Sequence, residues 1–267
     1  MINDTELVTH GDLPHWYKPG HAHFVTYRLF DSIPVVRLKQ WREERQLTID
    51  RDSSRTPKIL DAGSVPHVGD AASIPGARSI RELAHKRFYQ KYDQFLDQHP
   101  KKRWLEQPDV ANIIRENLYH HNQHLYELIS WCVMPNHVHI LIQPLEKGIA
   151  RSFNRLNESS IDVQSDEISD QKCVLSRIMH SLKSYTANQI NLILGRTGRL
   201  WQRESYDHWV RDLDELERIV EYIRMNPVKA GLCNSSEQWK FSSAFDRHQR
   251  DGSTCAMVGW LRDNWRG

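Results

Sequence analysis

Polar and apolar residues alternate through HAHFVTYRL (21–29), a period of two rich in β-formers that predicts a first strand. Residues 36–48 (VRLKQWREERQLT) change to a helical spacing. Residues 50–78 are rich in Ser, Asp, Gly and Pro and keep no sustained period, so they read as a loop or insertion. In SIRELAHKRFYQKYDQFLDQ (79–98), Leu83, Phe88 and Phe95 stand among alternating charges, which predicts a helix. DVANIIRENLYHH (109–121) predicts another, with Pro108 near its start. Two strands follow, HLYELISWCVM (124–134) and HVHILIQP (137–144), joined by a turn at Pro135-Asn136. Residues 151–171 are polar and irregular. VLSRIMHSLKSYTANQINLILG (174–195) predicts a long amphipathic helix closed by Gly195. After a basic turn, GRTGRLWQRESYDHWV, comes a helix over DLDELERIVEYIRMN (212–226), opened by acids and stopped by Pro227. The tail, through WKFSSA and GWLRDNW, is weakly patterned.

Strand, helix, strand, strand, helix, strand is the order of a split βαβ sheet. The expected class is α+β: a ferredoxin-like (RRM-like) antiparallel sheet with helices packed on one face, plus a C-terminal helix. No internal repeat or clear linker interrupts the chain. The expectation is one domain over 1–267, with an insertion at about 45–100 and a tail from about 246.

Composition narrows the setting. The chain has 267 residues, 39% hydrophobic and 26% charged, and no apolar run approaches the roughly 18 residues that span a membrane. The N-terminal stretch MINDTELVTHGDLPHW has neither a basic nor an apolar leader segment, so a cytoplasmic location is expected. Cys132, Cys173, Cys233 and Cys255 are scattered without a CxxC pair, which argues against a zinc knuckle or disulfide frame. A net charge of +2 permits a nucleic-acid partner without demanding one.

The chemistry gathers in MPNHVHILIQ (134–143). On a strand, His137 and His139 point to one face, while Val138, Ile140 and Ile142 point to the other. Two imidazoles on one side of a strand anchored on its other side make a rigid two-nitrogen metal seat. Two ordinary half-exposed histidines on a sheet surface have the same spacing, and so does His21-Ala22-His23. In the helix over 212–226, Leu213, Leu216, Ile219, Val220 and Ile223 form the apolar stripe. Tyr222 and Asn226, four residues apart, share a side that flanks it. A boundary tyrosine followed by a C-terminal cap asparagine explains that pair equally well. A phenol and an amide beside a divalent cation are also the parts a phosphodiester-cleaving site needs. The phenol serves as nucleophile and the amide oxygen as a further ligand.

MPNHVHILIQ resembles the HUH signature, histidine–hydrophobic–histidine, of the single-tyrosine transposases. The block RLWQRESYDHWVRDLDELERIVEYIRMNPVKAGL (199–232) resembles the branch called REP-associated tyrosine transposases, with a tyrosine, an asparagine four residues on, and then Pro-Val-Lys/Arg-Ala-Gly. GHAHFVTYRLF (20–30) is similar to that family's first strand, and the likeness covers most of residues 15–245. It implies metal-dependent cleavage and rejoining of hairpin-forming single-stranded repeat DNA through a 5′-phosphotyrosine intermediate. Tyr222 would be the nucleophile, and His137, His139 and Asn226 would bind Mg2+ or Mn2+. Only His137/His139, of the two histidine pairs, falls in the family's metal position. Charge near this block adds Arg196, Arg199, Arg203 and Lys183 as residues expected to line a DNA path. A catalytically silent ferredoxin-like hairpin-binding protein is the alternative, and a small-molecule metallohydrolase a weaker one. Whether the protein is a monomer or a homodimer stays open. The insertion and the tail depart from the compact pattern of the family.

Overall fold

A computed structural model describes residues 7–10, 14–55, 75–145 and 174–251. Two compact units emerge, Ile33–His99 and the remainder of the chain. The expected irregular segment 151–171, most of the loop expected at 50–78 and the last residues of the tail lie outside the described residues.

The larger unit is built on four antiparallel strands: β3 (His23–Arg28), β4 (Tyr126–Val133), β5 (His137–Pro144) and β6 (Tyr206–Trp209). A short hairpin, β1 (Leu7–His10) with β2 (Pro14–Tyr17), precedes them. The spatial order is β4-β5-β3-β6. Numbered by place within the split βαβ unit, that is 2-3-1-4, the ferredoxin-like arrangement. The two connecting helices are α3 (Pro108–His121) and α4 (Val174–Ile193).

Both helices pack on the same face of the sheet. Val110, Ala111, Ile114 and Leu118 of α3 recur at helical spacing. Leu175, Ile178, Met179, Leu182 and Ile190 do the same on α4. They close over Val25 and Tyr27 of β3 and over Val138, Ile140 and Ile142 of β5. A register shift between Leu128 and Ser130 inserts one residue into β4. Leu128 and Trp131 therefore reach the same core although three positions separate them.

The opposite face carries α5 (Leu213–Lys229), packed against β4 and β5. This helix does not stop at Asn226, as expected, but runs through Pro227 to Lys229. Proline removes one amide donor, yet the fixed φ of its ring suits the helix, and the true stop comes four residues later. Gly231 sits at φ 71; its amide donates to Val228 O (3.0 Å), and the Leu232 amide donates to Pro227 O (2.9 Å). That double bond is a Schellman cap, so PVKAGL is the end of the helix written in sequence. The same device closes α4, where Gly195 (φ 59) donates to Leu192 O and the Arg196 amide to Asn191 O.

Beyond α5, the tail is more ordered than its pattern predicts. Phe241 O accepts from the Val133 amide (2.8 Å), which extends pairing beyond the free edge of β4, and α6 follows (Ser243–Asp251). The smaller unit consists of α1 (Val35–Arg55) and α2 (Pro75–Gln98) packed on each other. Trp41 meets Phe95 edge-on at 5.6 Å, and Lys91 pairs with Glu44. Among the described residues no helix is long and apolar enough to cross a membrane.

Candidate active site

Cross-strand register decides which residues share the α5 face. Thr26 stands opposite His139, Arg28 opposite His137, and Cys132 opposite His139 from the other side. Paired residues point to the same face, so both imidazoles leave the core and face α5. The two Nε2 atoms lie 3.0 Å apart. His137 Nδ1 is 2.6 Å from Asn136 Oδ1, and His139 Nδ1 is 2.8 Å from Thr26 Oγ1. With each Nδ1–H donating to its oxygen, both Nε2 lone pairs face one another. Lone pairs at that separation repel unless a cation or a proton lies between them. Two donors held at right angles about 2.1 Å from a small divalent ion stand about 3 Å apart. Burial, reinforced by the neighbouring His139, holds His137 well below the usual histidine range and therefore neutral, the state a metal ligand requires.

The position of α5 is set at its first turn. Asp212 Oδ1 accepts from the Glu215 amide (2.7 Å), capping the helix. The Glu215 carboxylate accepts from His208 Nε2 of β6 (3.1 Å) and from the Arg211 guanidinium and amide. Burial opposes ionisation of Glu215, but the hydrogen bonds from His208 and Arg211 outweigh it and hold the carboxyl far below the usual carboxylate range. The helix is thereby pinned to the sheet edge two turns before Tyr222.

The Tyr222 ring then meets the histidine strand. Its centroid is 5.6 Å from that of His139 and 5.8 Å, edge-on, from that of Phe24. Lys229 Nζ lies 5.5 Å from the same ring. Asn226 is one turn beyond Tyr222 and therefore on its side of the helix. It is buried inside α5, not a terminal cap, and its Oδ1 has no hydrogen-bond partner among the described residues. A buried carboxamide oxygen left without a donor is costly, and a cation would satisfy it. His137, His139 and Tyr222 are thus brought together, and Asn226 offers an unsatisfied oxygen from the same helix.

The second histidine pair has a different fate. His21 lies just before β3, and His23 pairs with Ile142 and Trp209 on the helical face of the sheet. The His23 ring stacks on Tyr17 at 4.9 Å and accepts from the Lys18 amide; burial pushes it down to about 3. Lys183, Arg199 and Arg203 line a cleft of ≈ 880 Å³ between α4 and residues 198–207. Lys183 is spent on the protein there: its Nζ donates to Gln202 O, Arg203 O and Ser205 Oγ, and burial, with Arg28 nearby, lowers it to about 7. Arg196 donates to Asn191 Oδ1 and Arg199 O and stacks over Trp104 at 4.6 Å.

Sequence reasoning passed over Thr26, Asn136 and Lys229. Asn136 immediately precedes the histidine pair and Lys229 stands seven residues after Tyr222, both legible spacings. Thr26 becomes visible only once the β3–β5 register is known.

No family model matches the chain. A curated relative from Haemophilus influenzae, described as "Putative REP-associated tyrosine transposase", is 25% identical over 118 residues. That match covers 44% of this chain and 58% of the relative, so the chain spans little more than half of that protein's length. A solved structure of a REP-associated tyrosine transposase bound to a REP hairpin is 14% identical, with a TM-score of 0.41 over 95% of this chain and 89% of that one. A likeness that loose adds nothing to the sheet order and helix placement described above. The ferredoxin-like sheet, with its H-x-H strand beneath the helix that carries Tyr222, is the arrangement expected from the sequence resemblance to the HUH single-tyrosine transposases. Over the matched 118 residues the chain is similar to that REP-associated tyrosine transposase.

Proposed function

We propose that this protein is a transposase-type enzyme that cleaves and rejoins hairpin-forming, REP-like single-stranded DNA through Tyr222. What supports the reading most is the convergence of three features on one face of the sheet. They are facing imidazole nitrogens, the Tyr222 ring, and the Asn226 carboxamide with its unsatisfied oxygen.

His137, His139 and Asn226 would hold a divalent cation, Mg2+ or Mn2+, and the two buried imidazoles, with His137 held neutral, and the orphaned oxygen fit that role. When bound, such an ion polarises a non-bridging phosphate oxygen and stabilises the charge developing there. The chain's own residues do the rest. Thr26 and Asn136 orient the rings so that Nε2, not Nδ1, faces the site. Phe24 and His139 confine the Tyr222 ring from two directions. The Lys229 ammonium near the ring favours the anionic phenolate, which otherwise forms only near pH 10. The phenolate oxygen attacks phosphorus, and the bond to the 3′ oxygen breaks. The products are a 5′-phosphotyrosine and a 3′ oxyanion, which takes up a proton, matching the one the phenol gave up, to become a free 3′-hydroxyl. Attack by a 3′-hydroxyl on that linkage reverses the step and rejoins DNA.

Incubating full-length protein with labelled hairpin oligonucleotides and Mn2+ should give a covalent adduct, mapped by mass spectrometry to the Tyr222 peptide. Binding without any adduct, across metals and hairpins, would instead make the chain a silent hairpin-binding protein.

A further inference from the structure

At one end of the sheet, two aromatic rings and three cations interleave. Lys102 Nζ stands 5.9 Å from the Phe30 ring and 5.2 Å from the Trp104 ring. Arg199 lies over Phe30 at 5.1 Å, and Arg196 over Trp104 at 4.6 Å. Phe30 is 39% exposed although it stands only two residues beyond the buried strand β3. Among the described residues no carboxylate pairs with Lys102, Arg196 or Arg199. The one acid in the adjoining helical turn, Glu106, is held by Arg103 through three hydrogen bonds.

The patch is rigid. Lys102 Nζ donates to Phe30 O (3.0 Å), the Phe30 amide to Leu200 O (2.7 Å), and the Arg196 guanidinium to Asn191 and Arg199 O. It also joins the candidate active site through the backbone. The Leu29 amide, one residue before Phe30, donates to Asn136 O (2.9 Å), and the side chain of Asn136 orients His137. The Leu105 amide, one residue after Trp104, donates to Pro135 O (3.1 Å) in the same turn.

Like charges held together without a counterion cost free energy that an anionic partner returns. An exposed ring flanked by cations accepts a base on its face and phosphates beside it, a combination that suits single strands because unpaired bases can leave the stack. We infer that Phe30, Trp104, Lys102, Arg196 and Arg199 form a stacking platform for unpaired nucleotides of single-stranded DNA, next to the turn that carries His137. This rests on the proposed DNA-cleaving role and adds to it a place for the single strand. Arg199 also lines the cleft that holds Lys183, whereas Phe30, Trp104, Lys102 and Arg196 do not.

The test is fluorescence anisotropy with full-length protein, a labelled oligothymidine strand and a labelled blunt duplex, at fixed ionic strength. Phe30→Ala should weaken oligothymidine binding roughly tenfold, the size expected for removing one stacking ring. Phe30→Trp should retain it, and duplex binding should move little in either variant. Arg199→Ala should lower the salt slope for the single strand by about 0.7. Iodouracil in the strand should cross-link to peptides holding Phe30 or Trp104. Circular dichroism checks that each variant is folded, and Arg199 is exposed, so its replacement leaves the core intact. Unchanged oligothymidine affinity in both Phe30→Ala and Arg199→Ala overturns the platform. So does a wild type that holds the duplex as tightly as the single strand. The catalytic reading fails on a different result, the absence of a Tyr222 adduct.

Discussion

His21-Ala22-His23 and His137-Val138-His139 have the same spacing and lie at neighbouring strands of one sheet, yet the structure treats them in opposite ways. His23 faces the helical core, stacks on Tyr17 and stays neutral because burial pushes it down to about 3. His137 and His139 face α5, each with an oxygen at Nδ1 and its Nε2 turned toward the other. The difference is register, not composition. Antiparallel pairing sets Thr26 and Arg28 against the second pair and leaves the first pair to the other side of β3. A spacing therefore names a candidate, and what stands opposite it decides whether the candidate has a ligand's surroundings.

Mutations that separate the pairs test this directly. Tyr222→Phe keeps the ring that touches Phe24 and His139 but removes the nucleophile, so adduct formation should fall to background with the fold unchanged, as read by gel shift and circular dichroism. His137→Ala and His139→Ala should each lower Mn2+ affinity by more than the roughly 10–100-fold typical of an outer-shell change. His23→Ala should leave Mn2+ affinity near wild type in the same calorimetric titration while lowering stability. Thr26→Val, which removes only the oxygen at His139 Nδ1, should weaken Mn2+ by about 10–100-fold.

Two smaller effects concern the helix that delivers Tyr222. Glu215→Gln should cost about 1–3 kcal/mol near neutral pH, measured by urea unfolding. Because the folded carboxyl titrates far below its unfolded value of about 4.3, its contribution is fully present above that pH. The gap between wild type and variant should therefore shrink as pH falls below about 4. Gly231→Ala meets no atom within 4 Å, so its cost is the strain of φ 71 alone, about 1–2 kcal/mol.

Periodicity made most of the core sheet legible, because β3, β4 and β5 alternate or run apolar and the long helices repeat at their own period. It missed β6, where Asp207 and His208 interrupt the apolar pattern of a four-residue edge strand hidden in a basic stretch. It placed the end of α5 three residues early, because a proline inside a helix and a proline stopping one look alike until the Schellman glycine behind it is weighed. The histidine pair and the Tyr222/Asn226 spacing were readable locally. Thr26 was not, since it lies 113 residues from His139 in the chain and meets it only across the sheet. Nor did charge alone reveal that Lys183 is consumed by carbonyls of its own chain.

Pulsed electron paramagnetic resonance of the Mn2+ complex addresses the central claim most directly, because it counts imidazole nitrogens bound to the ion. The signature of two imidazoles is expected in wild-type protein and in His23→Ala, reduced to one in His137→Ala or His139→Ala. A wild-type spectrum without coupled imidazole nitrogen, or one that changes in His23→Ala and not in the other two, would contradict the account.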